Sequence, residues 1–97
     1  MDVKVLITDN AVNDLRNIVE FVSQDNPHAA ERLGYKLLDA AMTLAAMPTR
    51  FPFYDRLQNI RKMPVPPFVI YYTCGPEPVV NVLHFWHSAR RSPTFSK

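Results

Sequence analysis

Phe68-Val69-Ile70-Tyr71-Tyr72-Thr73-Cys74-Gly75-Pro76-Glu77-Pro78-Val79-Val80-Asn81-Val82-Leu83-His84-Phe85-Trp86-His87 contains two runs dense in β-branched and aromatic residues, parted by a Gly- and Pro-rich turn. Such residues favour extended backbone, and a short turn between two runs makes them antiparallel neighbours. Just upstream, Asn59-Ile60-Arg61-Lys62-Met63 reads as another strand, stopped by Pro64, Pro66 and Pro67. Three strands joined by short turns form an antiparallel meander. In the last of them, residues 79–87, strict alternation puts Val80 and Val82 on one side and Val79, Leu83 and Phe85 on the other. A strand apolar on both faces needs cover from two sides, and a single helical layer supplies one. The second cover is expected from a partner segment or a second copy of the chain.

Working back toward the N-terminus, Val3-Lys4-Val5-Leu6-Ile7-Thr8 is a first strand, and Thr8 can cap a helix with Asp9 in its first turn. Val12, Leu15, Val19 and Val22, joined by Ile18 and Phe21, form an apolar stripe at helical spacing over residues 9–23. Asn26 followed by Pro27 restarts a helix with a cap and a proline at its first position. Its stripe of Ala30, Leu33, Leu37, Ala41 and Leu44 continues to Met47, where Pro48 ends it. The short connection makes the two helices an antiparallel hairpin. Gly34 inside the second helix costs about 1 kcal/mol relative to Ala and permits close approach of a neighbour. Residues 49–58 read as a loop with Phe51, Phe53 and Tyr54 tucked against the core. The expected fold is α+β in the order β-α-α-β-β-β, a helical hairpin on one face of a small, mainly antiparallel sheet.

Composition bounds the function. At 97 residues, 47% of them hydrophobic, the chain suits one domain over residues 1–97. It has no run of eighteen apolar residues, and Met1-Asp2-Val3-Lys4 lacks a signal-peptide layout, so a soluble cytoplasmic protein without a membrane partner is expected. Cys74 is the only cysteine, which rules out an internal disulfide and the four-cysteine sites of structural zinc. His84 and His87 lie three apart, hence on opposite faces of a regular strand, so neither a metal site nor another cofactor is expected. Charge is divided unevenly. Residues 1–49 carry four basic against seven acidic groups, whereas residues 50–97 carry seven basic against Asp55 and Glu77. Clustered cations of this kind attract an anionic partner, unless they form only a solvated basic face.

The last strand runs directly into that charge through His87-Ser88-Ala89-Arg90-Arg91. Arg61, Arg90 and Arg91 present guanidinium forks suited to phosphate or carboxylate, with Lys62 a further contact. His87 carries an imidazole, a group whose unperturbed pKa of about 6.5 suits it to moving a proton. Trp86 and Phe95 can stack on a base or cover a partner. Each has a structural alternative: His87 as a hydrogen-bonded strand end, Trp86 as core, and Arg61 beside Lys62 as a solvated edge with side chains on opposite faces.

Several of these residues, in order, resemble the RelE/ParE toxin superfamily, in particular its ParE-like branch. The matching pieces are Ala11-Val12-Asn13-Asp14-Leu15-Arg16-Asn17-Ile18 on helix one, Pro27-His28-Ala29-Ala30 opening helix two and Leu44-Ala45-Ala46-Met47-Pro48 closing it. Arg61 ahead of Phe68-Val69-Ile70-Tyr71-Tyr72 follows, and then the closing His87-Ser88-Ala89-Arg90. The resemblance covers nearly the whole chain. It implies the toxin of a type II toxin–antitoxin system, with a cognate antitoxin as partner and a homodimer or toxin–antitoxin hetero-oligomer as possible assemblies. Two actions exist in the superfamily: poisoning of DNA gyrase by protein contact, and ribosome-dependent cleavage of mRNA by a metal-independent endoribonuclease. The second would use Arg61, His87 and Arg90 as catalytic groups. The first needs only a target-binding and antitoxin-binding surface, for which the candidates are Arg61, Lys62, Trp86, His87, Arg90, Arg91 and Phe95. Phe95 stands where many of the nucleases carry a tyrosine, and it has no hydroxyl to move a proton. That favours the gyrase expectation.

Overall fold

A computed structural model describes residues 3–95. Met1, Asp2 and Lys97, which entered the reading of the N-terminus, the charge division and the domain limits, lie outside the described residues.

Strand β1 (Lys4–Ile7) leads into helix α1 (Asp9–Ser23) and helix α2 (Pro27–Met42), followed by a 3-10 turn at Thr43–Ala45. Both helices start as their caps predict: the Thr8 hydroxyl accepts from Ala11 N and the Asn26 carboxamide from Ala29 N. The hairpin closes tightly because Gly34 has no Cβ; one placed there would sit 3.2 Å from a Val19 methyl. Helix two stops at Met42 rather than running to Met47, because its last residues tighten into the 3-10 turn.

The remaining strands are β2 (Phe53–Asp55), β3 (Ile60–Val65), β4 (Phe68–Cys74) and β5 (Val79–His87). The sheet order is β1-β5-β4-β3-β2, with β1 parallel to β5 and all other pairs antiparallel. The architecture is the expected α+β hairpin on a sheet, with one more strand than the sequence suggested. Strand β2 lies inside the segment read as a loop, and is held as a short, bulged edge on β3. Its turn back is set by Asp55, whose carboxylate accepts from Leu57 N and Gln58 N, and by Asn59 at φ 59°. Pro64 does not end β3; it pairs with Val69 beyond the reach of β2, where β3 is the outer strand and a missing N–H is tolerated.

One irregularity decides which side chains meet. The β4–β5 register shifts between Tyr71, opposite His84, and Tyr72, opposite Val82, so Leu83 is a bulge. The bulge flips the alternation: Phe85 joins Val80 and Val82 in the core beneath the helices, and does not share a face with Leu83 as strict alternation required. That core also holds Ala11, Leu37, Ala41, Leu44, Ile70 and Tyr72. A second cluster lies on the face away from the helices, built on Ile60, Val69 and Tyr71 with Leu83, Trp86 and Phe95 packed against them. The second cover expected from a partner is thus supplied in part by the chain's own C-terminal segment. Among the described residues no helix is long and apolar enough to cross a membrane.

Candidate functional site

Residues after β5 fold back at once. Ser88 donates from both its N–H and its hydroxyl to the Pro67 carbonyl, each at 2.9 Å, and Arg90 N donates to His87 O. The Arg90 guanidinium stacks 4.1 Å from the Trp86 ring centre, and the Trp86 indole N–H donates to Arg91 O at 2.8 Å. Pro93 is buried, and Phe95 ends in an aromatic nest with Tyr71 at 5.3 Å, His84 at 5.4 Å and Tyr54 at 5.8 Å. A concavity of about 490 Å³ on this open face brings together Tyr54, Lys62, Tyr71, Trp86 and Arg90. Four of the seven expected site residues, Lys62, Trp86, Arg90 and Phe95, therefore gather on the open side, and Arg91 is exposed beside them.

Arg61 is not among them. It lies on the helix side of β3, opposite Tyr72, where its guanidinium donates to Phe51 O at 2.7 Å and Thr49 O at 3.3 Å and lies 3.9 Å over the Phe53 ring. The same loop is gripped by the Tyr72 hydroxyl, which donates to Pro48 O at 2.9 Å. Burial pushes that hydroxyl above its usual pKa of 10.0, with the Arg61 guanidinium pulling the other way. Arg61 therefore fastens the segment after α2 to the sheet. Its row, Arg61–Tyr72–Val82, is separated from the row Val65–Phe68–His87 by the rise from Arg61 to Val65, about 13 Å along the strand. Arg61 and His87 are not one site.

His87 faces the helix side and packs edge-on against Phe68, with ring centres 5.3 Å apart. Its Nδ1 accepts from Ala89 N at 3.1 Å, so the ring proton belongs on Nε2. It borders an apolar groove of about 670 Å³ between α1 and the end of the sheet, walled by Ile18, Phe21, Leu33, Phe68 and Phe85, with Asp14 and Arg90 at its margin. Phe21 is 72% exposed there. Arg90 borders both the groove and the open-face concavity and so joins the two surfaces.

Sequence reasoning missed the pair Asp14–His84. Strand β1 ends at Ile7, and Thr8 closes against Val82 O through its N–H at 3.1 Å and its hydroxyl at 2.7 Å, leaving the rest of β5 without a strand on that side. Asp14 from α1 fills the gap: its Oδ2 lies 2.6 Å from His84 Nδ1 and accepts from Phe85 N at 3.3 Å. The available signal was Asp14 itself, a carboxylate in a helix otherwise packed through apolar positions.

The chain is similar to known proteins along most of its length. Residues 5–92 match the model of the ParE toxin of type II toxin–antitoxin system, parDE. Toxin RelE2 of Caulobacter vibrioides is 34% identical over 90 residues, covering 90% of this chain and 97% of that toxin. Among solved structures, the chromosomal ParDE toxin–antitoxin system of P. aeruginosa superposes with a TM-score of 0.76 at 15% identity, covering 88% of this chain and 95% of that one. The toxin–antitoxin complex RelBE2 of Mycobacterium tuberculosis does so with a TM-score of 0.68 at 20% identity, covering 90% and 99%. These two likenesses are of fold.

Proposed function

The chain belongs to the ParE toxin family of type II toxin–antitoxin systems, within the RelE/ParE superfamily, and from that premise we propose that it inhibits DNA gyrase by protein–protein contact. The supporting observation is the dispersal of the groups a ribonuclease would need together. Cleavage at a 2′-hydroxyl requires a base, an acid and a charge stabiliser around one phosphate. Here Arg61 holds backbone carbonyls at one end of the helix side, His87 has its Nδ1 occupied at the other end, and Phe95 fills the open face without a hydroxyl. What the open face does offer is a docking surface: a stacked Arg90–Trp86 pair flanked by Lys62 and Arg91, suited to an acidic patch on a protein.

In this reading the cognate antitoxin neutralises the chain from the helix side. Its occupant for the α1 groove is an amphipathic segment that buries apolar side chains against Phe21 and Phe68 and sets a carboxylate on Arg90. A supercoiling assay with purified protein tests the proposal. Inhibition that Arg90→Glu abolishes supports it; full supercoiling at a large excess of folded toxin overturns it. Ribosome-dependent mRNA cleavage is the second reading, favoured by the exposed Tyr54 ring lying beside Lys62, a surface on which a base can stack. Primer extension on translated mRNA after induction decides it, through new 5′ ends or their absence.

A further inference from the structure

Asp14 borders the groove on the helix side, and His84, its partner at 2.6 Å, borders a separate cavity of about 540 Å³ on the open side together with Phe95. The pair is thus the wall between the two surfaces. On the open side the His84 ring meets Trp86 edge-on at 5.4 Å and Phe95 at 5.4 Å. The segment from Ser88 to Phe95 has no strand or helix of its own; beyond Arg90 it is fastened by one indole hydrogen bond, by buried Pro93 and by the ring nest around Phe95. A strap with so few attachments opens locally far more readily than the core beneath it.

We propose that residues 88–95 are a strap that closes the open face and is locked from the opposite side of the sheet by helix α1. Asp14 fixes the His84 ring against the otherwise unpaired stretch of β5, and that ring is one wall of the nest holding Phe95. Removing Asp14 leaves the ring free to turn, which lifts Phe95 and exposes Tyr54, Tyr71 and Trp86. An occupant of the α1 groove that takes over Asp14 acts in the same direction, so the two surfaces are coupled through one carboxylate and one imidazole. The consequence for activity rests on the reading of the open face as target-binding. The lock itself does not, and it can be tested in the isolated protein.

Trp86 is the only tryptophan, and its indole proton is bonded to the strap. Its exchange rate with solvent, measured by NMR, reports strap opening, while the Tyr72 amide in the core reports global stability. Phe95→Ala should speed indole exchange roughly 3- to 10-fold, the scale set by losing one or two aromatic contacts. Asp14→Ala should speed it by a similar factor, and the double variant by little more than either alone, because both break one latch. His84→Gln is the second route if Asp14→Ala folds poorly. Acceleration by Phe95→Ala but by neither Asp14→Ala nor His84→Gln overturns the lock. Unchanged exchange in Phe95→Ala overturns the strap. Fully additive effects overturn the coupling. A supercoiling assay that shows no inhibition would leave all of these readouts standing and would count only against the gyrase reading.

Discussion

The two faces of the sheet are built by different means. The helix-covered face is closed by aliphatic side chains packed around Phe68, Phe85 and the Tyr72 phenol, and its arginine, Arg61, holds a loop by its carbonyls. The open face packs Tyr71, Trp86 and Phe95 with Ile60, Val69 and Leu83, is covered by residues 88–95, and has its arginine, Arg90, stacked on an indole with its charge in solvent. Two guanidinium groups of the same protein thus serve opposite ends: one satisfies the backbone carbonyls of a loop, and the other remains available to a partner. Basic residues counted along the sequence overstate the binding surface, because a cation bonded to backbone carbonyls has little left to offer.

Substitutions on the two faces should separate these roles. Phe85→Ala removes a fully enclosed ring from the helix-side core and should destabilise by about 3–5 kcal/mol in urea unfolding followed by Trp86 fluorescence. A loss under about 1 kcal/mol would mean that the two faces are not energetically distinct. Arg61→Ala leaves Thr49 O and Phe51 O without their donors and should cost about 2–3 kcal/mol while leaving the affinity of the open face for its target unchanged. Were it to abolish target binding in a still-folded protein, the division between the two arginines would fail.

Tyr72→Phe breaks the bond to Pro48 O and should cost about 1 kcal/mol at neutral pH. It should also change the alkaline limb of stability. A phenol whose pKa is raised by folding stays neutral longer in the fold than in the unfolded chain. Its contribution is therefore present below the usual value of 10.0 and is lost as pH rises through the folded value. Unfolding midpoints measured between neutral pH and pH ~11 should fall less steeply in Tyr72→Phe. The smallest effect on stability belongs to Arg90→Ala, about 0.5 kcal/mol, since its contact with Trp86 is exposed. Its expected effect on partner binding is the largest of the four.

The elements themselves were legible because each rests on local chemistry. Thr8 and Asn26 cap the helices, Pro27 opens the second one, and the β-branched runs mark β3, β4 and β5 within a few residues. Gly34 announced a close approach, and Val19 makes it. Strand β2 was not legible, because three residues on a bulged edge carry no period to read. The site was legible as a composition rather than as a place. Lys62, Trp86, Arg90 and Phe95 lie on the open face, whereas Arg61 and His87 both lie on the helix side, in rows about 13 Å apart along the strand.

What the sequence determined alone is whatever follows from neighbours in the chain: where the helices start, the identity of β1, β3, β4 and β5, the cationic C-terminal half and the motif order shared with a toxin family. The tertiary structure decided what depends on register. One extra residue at Leu83 moves Phe85 into the helix-side core and sets His84 opposite Tyr71 on the open face, and no residue type announces a bulge. The cover of the open face was likewise undecided until the chain was folded. The apolar pattern of β5 asks only that something lie against it, and Phe95 reaches that place from ten residues or so away because Ser88 and Pro67 turn the backbone back under the sheet.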